Sequence, residues 1–338
     1  MEPLRPTGDA LADVAVLRDW LEEAEPRPLV IETSGSTGRP KRVLLTRDAV
    51  LASARASASR LAAYGAPEGR WGLVLPSAYV AGVQVVVRSL LAGHDPELGG
   101  FAHADFTSLV PTQLHRALAD PGETAALARL RAVLVGGGAV DRALRARAEE
   151  EGIRVVATYG ASETAGGCVY DGHPLDGVAL VVGADGRVRI GGPTLFSGYL
   201  GDPELTAAAL VDGWYLTQDA GRIDEDGRLR VLGRIDDVVV SGGVKVPLPA
   251  VAATLRAHPG VEAAECVGIP DEEWGTRVVA VVVRGGTGAP PTADELRDHV
   301  AATHPRSWAP RAVVTVDRLP LLANGKVDRA RLEELARG

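Results

Sequence analysis

Only three of the 36 basic side chains in this 338-residue chain are lysines, Lys41, Lys245 and Lys326; all the others are arginine. Each lysine lies beside glycine-rich sequence: Thr33-Ser-Gly-Ser-Thr-Gly-Arg-Pro-Lys41, Ser241-Gly-Gly-Val-Lys245 and Asn324-Gly-Lys326. Lysine is a compact point charge that can follow a moving phosphoryl group, whereas arginine is a planar fork. Chance sparing by codon bias competes with a chemical reason, and the surrounding motifs decide between them. Thr33, Ser34, Gly35, Ser36, Thr37 and Gly38 give a run of hydroxyls and small residues whose side chains and backbone N–H groups can converge on oxyanions, with Lys41 as counter-charge. It is not a Walker A loop, which needs four residues between its glycines and Gly-Lys-Ser/Thr after them. A plain Ser/Gly turn is the alternative, but such a turn has no need of Pro40-Lys41.

Those residues need strands and helices to hold them. Leu29–Glu32 and Arg42–Leu45 read as strands, with Thr46 as the N-cap of a helix reaching about Tyr64. Apolar runs at Trp71–Leu75, Ala132–Val135 and Arg154–Thr158 alternate with helical patterns at Val80–Leu91, Thr112–Ala119 and Asp141–Glu150. That alternation predicts a layered α/β domain with buried strands. Ligand loops in such sheets lie at the carboxyl ends of strands, where Gly136, Gly137 and Gly138, and then Tyr159-Gly160-Ala-Ser162-Glu163, are expected. From Gly177 short strands and tight turns take over, marked by Ala184-Asp-Gly186 and Glu225-Asp-Gly227, which predicts a small β-rich subdomain. After Arg234–Asp237 a second α/β unit begins, with strands near Val261–Ile269, Val278–Val283 and Ala312–Val316 and helices near Pro249–Ala257 and Ala293–Thr303. The expected fold is therefore α/β: a large N-terminal domain, residues 1–233, and a small C-terminal domain, residues 234–338.

Bulk composition narrows the function. A net charge of −8 argues against broad nucleic-acid binding, which needs a basic face. Nothing approaches about 18 uninterrupted apolar residues, so no membrane insertion is expected. The N-terminus lacks the basic-then-apolar pattern of a signal peptide. Cys168 and Cys266 have no metal-ligand spacing and read as buried thiols in a reducing cytoplasm.

Thr33–Lys41 resembles the phosphate loop of the adenylate-forming superfamily, which includes acyl- and aryl-CoA ligases and peptide-synthetase adenylation domains. Four later stretches resemble its other motifs in order: Tyr159-Gly-Ala-Ser-Glu163-Thr, Trp214-Tyr-Leu-Thr-Gln-Asp219, Gly233-Arg-Ile-Asp-Asp237 with Ser241–Lys245, and Leu319–Lys326. Together they span nearly the whole chain. Departures are Gln218 where Gly is usual, Ser162 where Thr is usual, and only 32 residues before the phosphate loop, so much of the usual N-terminal subdomain is expected to be missing. The resemblance implies ATP, Mg²⁺ and CoA, and a small-molecule carboxylic acid as substrate. It implies Lys326 as the cation bridging substrate carboxylate and α-phosphate, Lys41 and the loop on the outer phosphates, Ser162 on the α-phosphate, and Glu163 as the Mg²⁺ ligand. It further implies Asp219 on the ribose with Arg234 in support, Gly136–Gly138 and Tyr159 around the adenine, and Gly160 among the nucleotide-binding residues. Asp236 resembles the family's hinge residue, about which the C-terminal domain rotates to exchange Lys326 for Gly242, Gly243 and Lys245. Structural alternatives are a helix-start carboxylate for Glu163, a turn residue for Asp219 and a strand-edge charge for Lys245.

A finer resemblance is to the o-succinylbenzoate–CoA ligases of menaquinone synthesis. It rests on Leu75-Pro-Ser-Ala-Tyr79-Val-Ala-Gly82, Arg88–Gly93, Ser108–Leu114, Leu134–Gly138 and Ser162–Tyr170. A second carboxylate in that substrate would need a cation, because an unpaired buried carboxylate is costly. Arg88 is the candidate, with Tyr79 and Thr112 as weaker pocket residues and a snorkelling helix-end arginine as the alternative. Another aryl- or acyl-CoA ligase, a stand-alone adenylation domain feeding a carrier protein, and a non-catalytic nucleotide-binding module are the competing functions. A homodimer is one option for the assembly.

Overall fold

The computed structural model describes residues 2–33, 40–66, 68–138, 140, 142–285, 291–322 and 327–337. At its centre a seven-stranded sheet runs in the order Glu97–Leu98, Trp71–Leu73, Phe106–Leu109, Ala132–Val135, Val155–Ala161, Gly166–Tyr170 and His173–Pro174. The first five strands are parallel and the last two antiparallel. Phe106–Leu109 and Ala132–Val135 are buried at every residue, as parallel strands covered on both faces must be.

The helix Val80–Leu91 covers this sheet and is apolar nearly all round, because it is sandwiched. Val83, Val85, Val86 and Val87 have no exposed surface, and the helix packs on Trp71–Leu73 and on the helix Arg47–Ala63. Thr46 caps the latter, accepting from Ala49 N at 3.1 Å.

Two features depart from the sequence reading. Residues 10–22 form a helix, Ala10–Glu22, capped by Asp9 and seated by the fully buried Leu17 and Trp20. Tyr159, Gly160 and Ala161 are also not in a loop after a strand. The strand continues through them, turns in the short 3-10 helix Ser162–Thr164 and comes back antiparallel. Ala165 takes a left-handed φ of 50° at that reversal, and Thr164 Oγ1 ties its two sides by accepting from Ala161 N and donating to Gly166 O.

Leu29–Thr33 and Lys41–Leu45 form an antiparallel pair with Thr33 opposite Lys41, and Gly198–Tyr199 joins as third strand. The β-rich subdomain is a five-stranded sheet centred on Trp214–Ile223, with turns at Gly186 and Gly227, both at positive φ. Beyond it lie the hairpin Val238–Ser241/Val244–Pro247, the sheet Val261–Asp271, Gly275–Arg284 and Ala312–Val316, and the helices Leu248–Arg256, Ala293–Ala301 and Arg329–Arg337. Hydrophobic packing separates along the chain: two clusters draw on residues 4–229 and two on residues 246–336. Among the described residues no helix is long and apolar enough to cross a membrane.

Candidate functional site

An open cleft of about 1000 Å³, counting the solvent at its mouth, lies over the carboxyl ends of the parallel strands. Thr33, Tyr79, Arg88, Gly136, Gly137, Gly160 and Ser162, singled out from distant parts of the sequence, all line it. Glycine is required at two of these positions by close approach. A Cβ on Gly136 would lie 2.3 Å from Thr158 Oγ1, and one on Gly160 would lie 2.1 Å from Gly166 O.

One end of the cleft is aliphatic with a cation in its wall. Arg88 is 8% exposed, its Cζ 5.1 Å from the Trp71 ring centroid. Its Nη2 donates to Tyr170 Oη at 3.2 Å, and that oxygen lies 2.8 Å from Ser57 Oγ. Arg88 Nε is buried without a hydrogen-bond partner, as is Gln84 Oε1 one helical turn earlier. The Gln84 amide is held the other way, donating from Nε2 to Val50 O and Ala165 O. A guanidinium in the wall of a cleft is a group that can pair with an anionic part of a ligand.

Glu163 sits in the 3-10 turn and is 7% exposed. Tyr199 Oη donates to its Oε1 at 2.8 Å, and Lys41 Nζ stands 5.5 Å from the Tyr199 ring centroid. Burial first, and the Glu163 charge second, push the Tyr199 phenol far above its ordinary range, so it remains a donor. Phe196 and Tyr215 pack around this tyrosine. A single carboxylate with a fixed orientation suits Mg²⁺, a hard cation that usually takes one or two protein carboxylates together with phosphate oxygens and waters. Among the described residues no group of three or more His, Cys, Asp or Glu could hold a metal ion, so Glu163 would act with ligand oxygens.

Asp219 Oδ2 accepts from Tyr159 Oη at 2.7 Å, and the backbone register sets Asp219 opposite Arg234. The three expected nucleotide residues thus converge. Burial, then the Asp219 charge, raise the Tyr159 phenol as well. Gly138 adjoins Pro111 beside the cleft, while Thr112 does not line it. Gly242, Gly243 and Lys245 lie on the C-terminal hairpin, away from the cleft lining. Ser34, Gly35, Ser36, Thr37, Gly38 and Lys326 lie outside the described residues, as does the side chain of Asp236. Both cysteines are buried and free, and burial pushes the Cys168 thiol up to about 12, so it is no nucleophile.

Tyr199, Tyr170 and Gln84 were not singled out as site residues. With only six tyrosines in 338 residues, the best signal was scarcity itself: a tyrosine retained in an aliphatic chain carries a hydroxyl worth accounting for.

The chain matches the AMP-binding enzyme family over residues 22–200, and the AMP-binding enzyme C-terminal domain over residues 250–326. A probable 2-succinylbenzoate–CoA ligase of Mycobacterium tuberculosis is 46% identical over 323 residues, covering 90% of this chain and 83% of that protein. The 2-succinylbenzoate–CoA ligase of Geobacillus kaustophilus is 33% identical over 96% of this chain and 73% of its own length. Among solved structures, the o-succinylbenzoate CoA synthetase MenE from Bacillus subtilis, in complex with the acyl-adenylate OSB-AMP, superposes with a TM-score of 0.78 at 27% identity. That match covers 90% of this chain and 68% of that one. The same enzyme has been solved with ATP and a magnesium ion. With both halves of the family matched in order, this chain is an AMP-forming ligase and a member of the AMP-binding enzyme family.

Proposed function

We propose that this protein activates o-succinylbenzoate with ATP and passes the acyl group to CoA. The observation that carries the reading is one cleft in which the Arg88 guanidinium shares a wall with Gly136, Gly160 and Ser162. In the first step the aliphatic carboxylate attacks the α-phosphorus, an O–P bond forms and pyrophosphate leaves. In the second the CoA thiol, losing its proton, attacks the acyl carbonyl and AMP departs.

Charge accumulates on the α-phosphate in the first transition state, and fixed donors and cations there lower the barrier. Ser162 and Lys326 are assigned to that phosphate, and Lys41 with Thr33 and residues 34–38 to the leaving pyrophosphate. Glu163, oriented by Tyr199, would hold Mg²⁺, which when bound neutralises phosphate charge. Asp219 takes the ribose, with Tyr159 and Arg234 keeping it in place. Residues 1–233 form the binding domain and 234–338 the mobile one, turning at Asp236 to bring Gly242, Gly243 and Lys245 to the second step. A net charge of −8 stands against nucleic acid as a partner, and two free buried cysteines fit a reducing cytoplasm. Size-exclusion chromatography decides the homodimer.

Pyrophosphate release across a panel of carboxylic acids, with and without CoA, tests the reading. Release without any acid, or with benzoates but not with o-succinylbenzoate, would overturn it. Arg88→Ala is expected to raise the KM for o-succinylbenzoate on the order of 100-fold, the cost of stripping a buried carboxylate of its charge-assisted partner, with little change in the KM for ATP. An equal rise for both substrates would dismiss Arg88 as a carboxylate clamp. Tyr199→Phe leaves one Glu163 oxygen without its donor, and the Mg²⁺ concentration for half-maximal adenylation should rise roughly 10-fold or more, as for other supports of metal ligands. A Mg²⁺ titration unchanged from the parent enzyme would remove Tyr199 from that role.

A further inference from the structure

Asp13 lies in the first turn of the helix Ala10–Glu22 and is 2% exposed. A carboxylate so deep needs partners. Its Oδ1 accepts from Thr7 N at 2.7 Å and from Thr7 Oγ1 at 3.1 Å. Its Oδ2 accepts from Gly8 N at 2.8 Å and from Ser77 Oγ at 2.5 Å. Two donors on each oxygen describe an ionised carboxylate, which only accepts. Three of these bonds close the turn before the helix. The fourth reaches 64 positions along the chain.

Ser77 is 1% exposed and stands between the strand Trp71–Leu73 and the helix Val80–Leu91. Its neighbours face the other way: Leu75, Pro76 and Tyr79 line the cleft, and Ser77 does not. Tyr79 N donates to Pro76 O at 3.2 Å and Val83 N to Tyr79 O at 3.0 Å, which carries this turn into the helix that bears Arg88. Behind Asp13, Leu17 and Trp20 are fully buried, and their helix packs on Val80–Leu91. Cleft wall and buried acid are therefore two sides of one short turn. Asp13 also precedes the stretch matched to the AMP-binding enzyme family, which begins at residue 22.

A hydrogen bond to an ionised group is short and strong, and it holds the side chain that makes it. We propose that Asp13 is a positioning residue for acid selection: through Ser77 it fixes Pro76 and Tyr79 in the cleft wall, so that it governs the KM for the carboxylic acid more than that for ATP. The proposal rests on the reading that this wall receives the acyl group.

The test measures pyrophosphate exchange as a function of o-succinylbenzoate and of ATP, with thermal melting on the same samples. It compares the parent protein with Ser77→Ala, Asp13→Asn, their double variant and Asp9→Ala. Ser77→Ala removes the long-range bond and leaves the other three. It should raise the KM for the acid roughly 10-fold, as for loss of one hydrogen bond to a charged group, with the KM for ATP near the parent value. Asp13→Asn sets an amide among four donors and should do at least as much; if it proves unfolded by melting, Ser77→Ala carries the test. In the Asp13→Asn background Ser77→Ala should add nothing, as for residues in direct contact. Asp9→Ala removes the cap bonds from Leu11 N at 3.0 Å and Ala12 N at 3.1 Å, so it should lower the melting temperature and leave the acid KM unchanged. A parent-like acid KM in Ser77→Ala, an equal rise for acid and ATP, or the same rise in Asp9→Ala overturns the proposal. If the parent protein turns over another acid and not o-succinylbenzoate, the substrate reading falls, and the same comparison made with that acid still decides the role of Asp13.

Discussion

Glu163→Gln should lower adenylation on the order of 1000-fold while leaving the protein folded. The side chain keeps its size, and its amide oxygen still accepts from Tyr199 Oη, so the 2.8 Å bond that orients it survives. What disappears is the negative charge. A neutral amide is a poor ligand for Mg²⁺, and unrelieved phosphate repulsion then opposes the approach of an anionic carboxylate. Removing one preorganised electrostatic contact of this kind costs about 3–4 kcal/mol of transition-state stabilisation. The lost contact is nearly buried, which keeps the interaction strong: Glu163 is 7% exposed, with Tyr199 and Tyr215 around it. Pyrophosphate exchange at saturating Mg²⁺, together with the thermal shift produced by MgATP, checks the result. Parent-like exchange in the variant would show that Glu163 is a structural carboxylate of the turn and nothing more.

Local pattern made most of the scaffold legible. Val80–Leu91 is apolar enough to declare a buried helix, and it forms over those residues. The Asp-Gly steps before Arg187 and Arg228 announce the turns observed there. The helix Ala10–Glu22 carries its signals in Asp9, which caps it, and in Leu17 and Trp20 on its inner face, but the intervening acids and alanines blur the helical period. The return strand Gly166–Tyr170 was hidden for a physical reason. Gly-Gly-Cys-Val-Tyr has no alternation to betray it, and its pairing depends on the neighbouring strand.

Site residues divided in the same way. Glycines and hydroxyls packed into a few positions are visible in one dimension, and Gly136, Gly160 and Ser162 do share a cleft. The contacts that orient charged groups are long-range. Tyr199 meets Glu163 across 36 positions and Arg88 meets Tyr170 across 82, separations at which no local spacing rule operates.

Gly160→Ala is the second large effect, and it separates stability from chemistry. Gly160 pairs with Gly167 at the irregularity in the ladder between Val155–Ala161 and Gly166–Tyr170. A new methyl group would lie 2.1 Å from Gly166 O and 2.8 Å from Gly167 Cα, both backbone atoms that no rotamer change can move aside. The strands must part. Overpacking of this kind costs about 1–3 kcal/mol, which for a domain of this size lowers the melting temperature by roughly 2–4 °C per kcal/mol. Catalysis should suffer more, because the turn bearing Ser162 and Glu163 is slung between those two strands. A shift of about 1 Å there costs on the order of 100-fold in rate. Thermal melting and pyrophosphate exchange on the same sample distinguish the two losses. A variant that melts a few degrees lower yet turns over like the parent would mean that the turn moves independently of the strands, and that the cleft floor does not set the position of the α-phosphate.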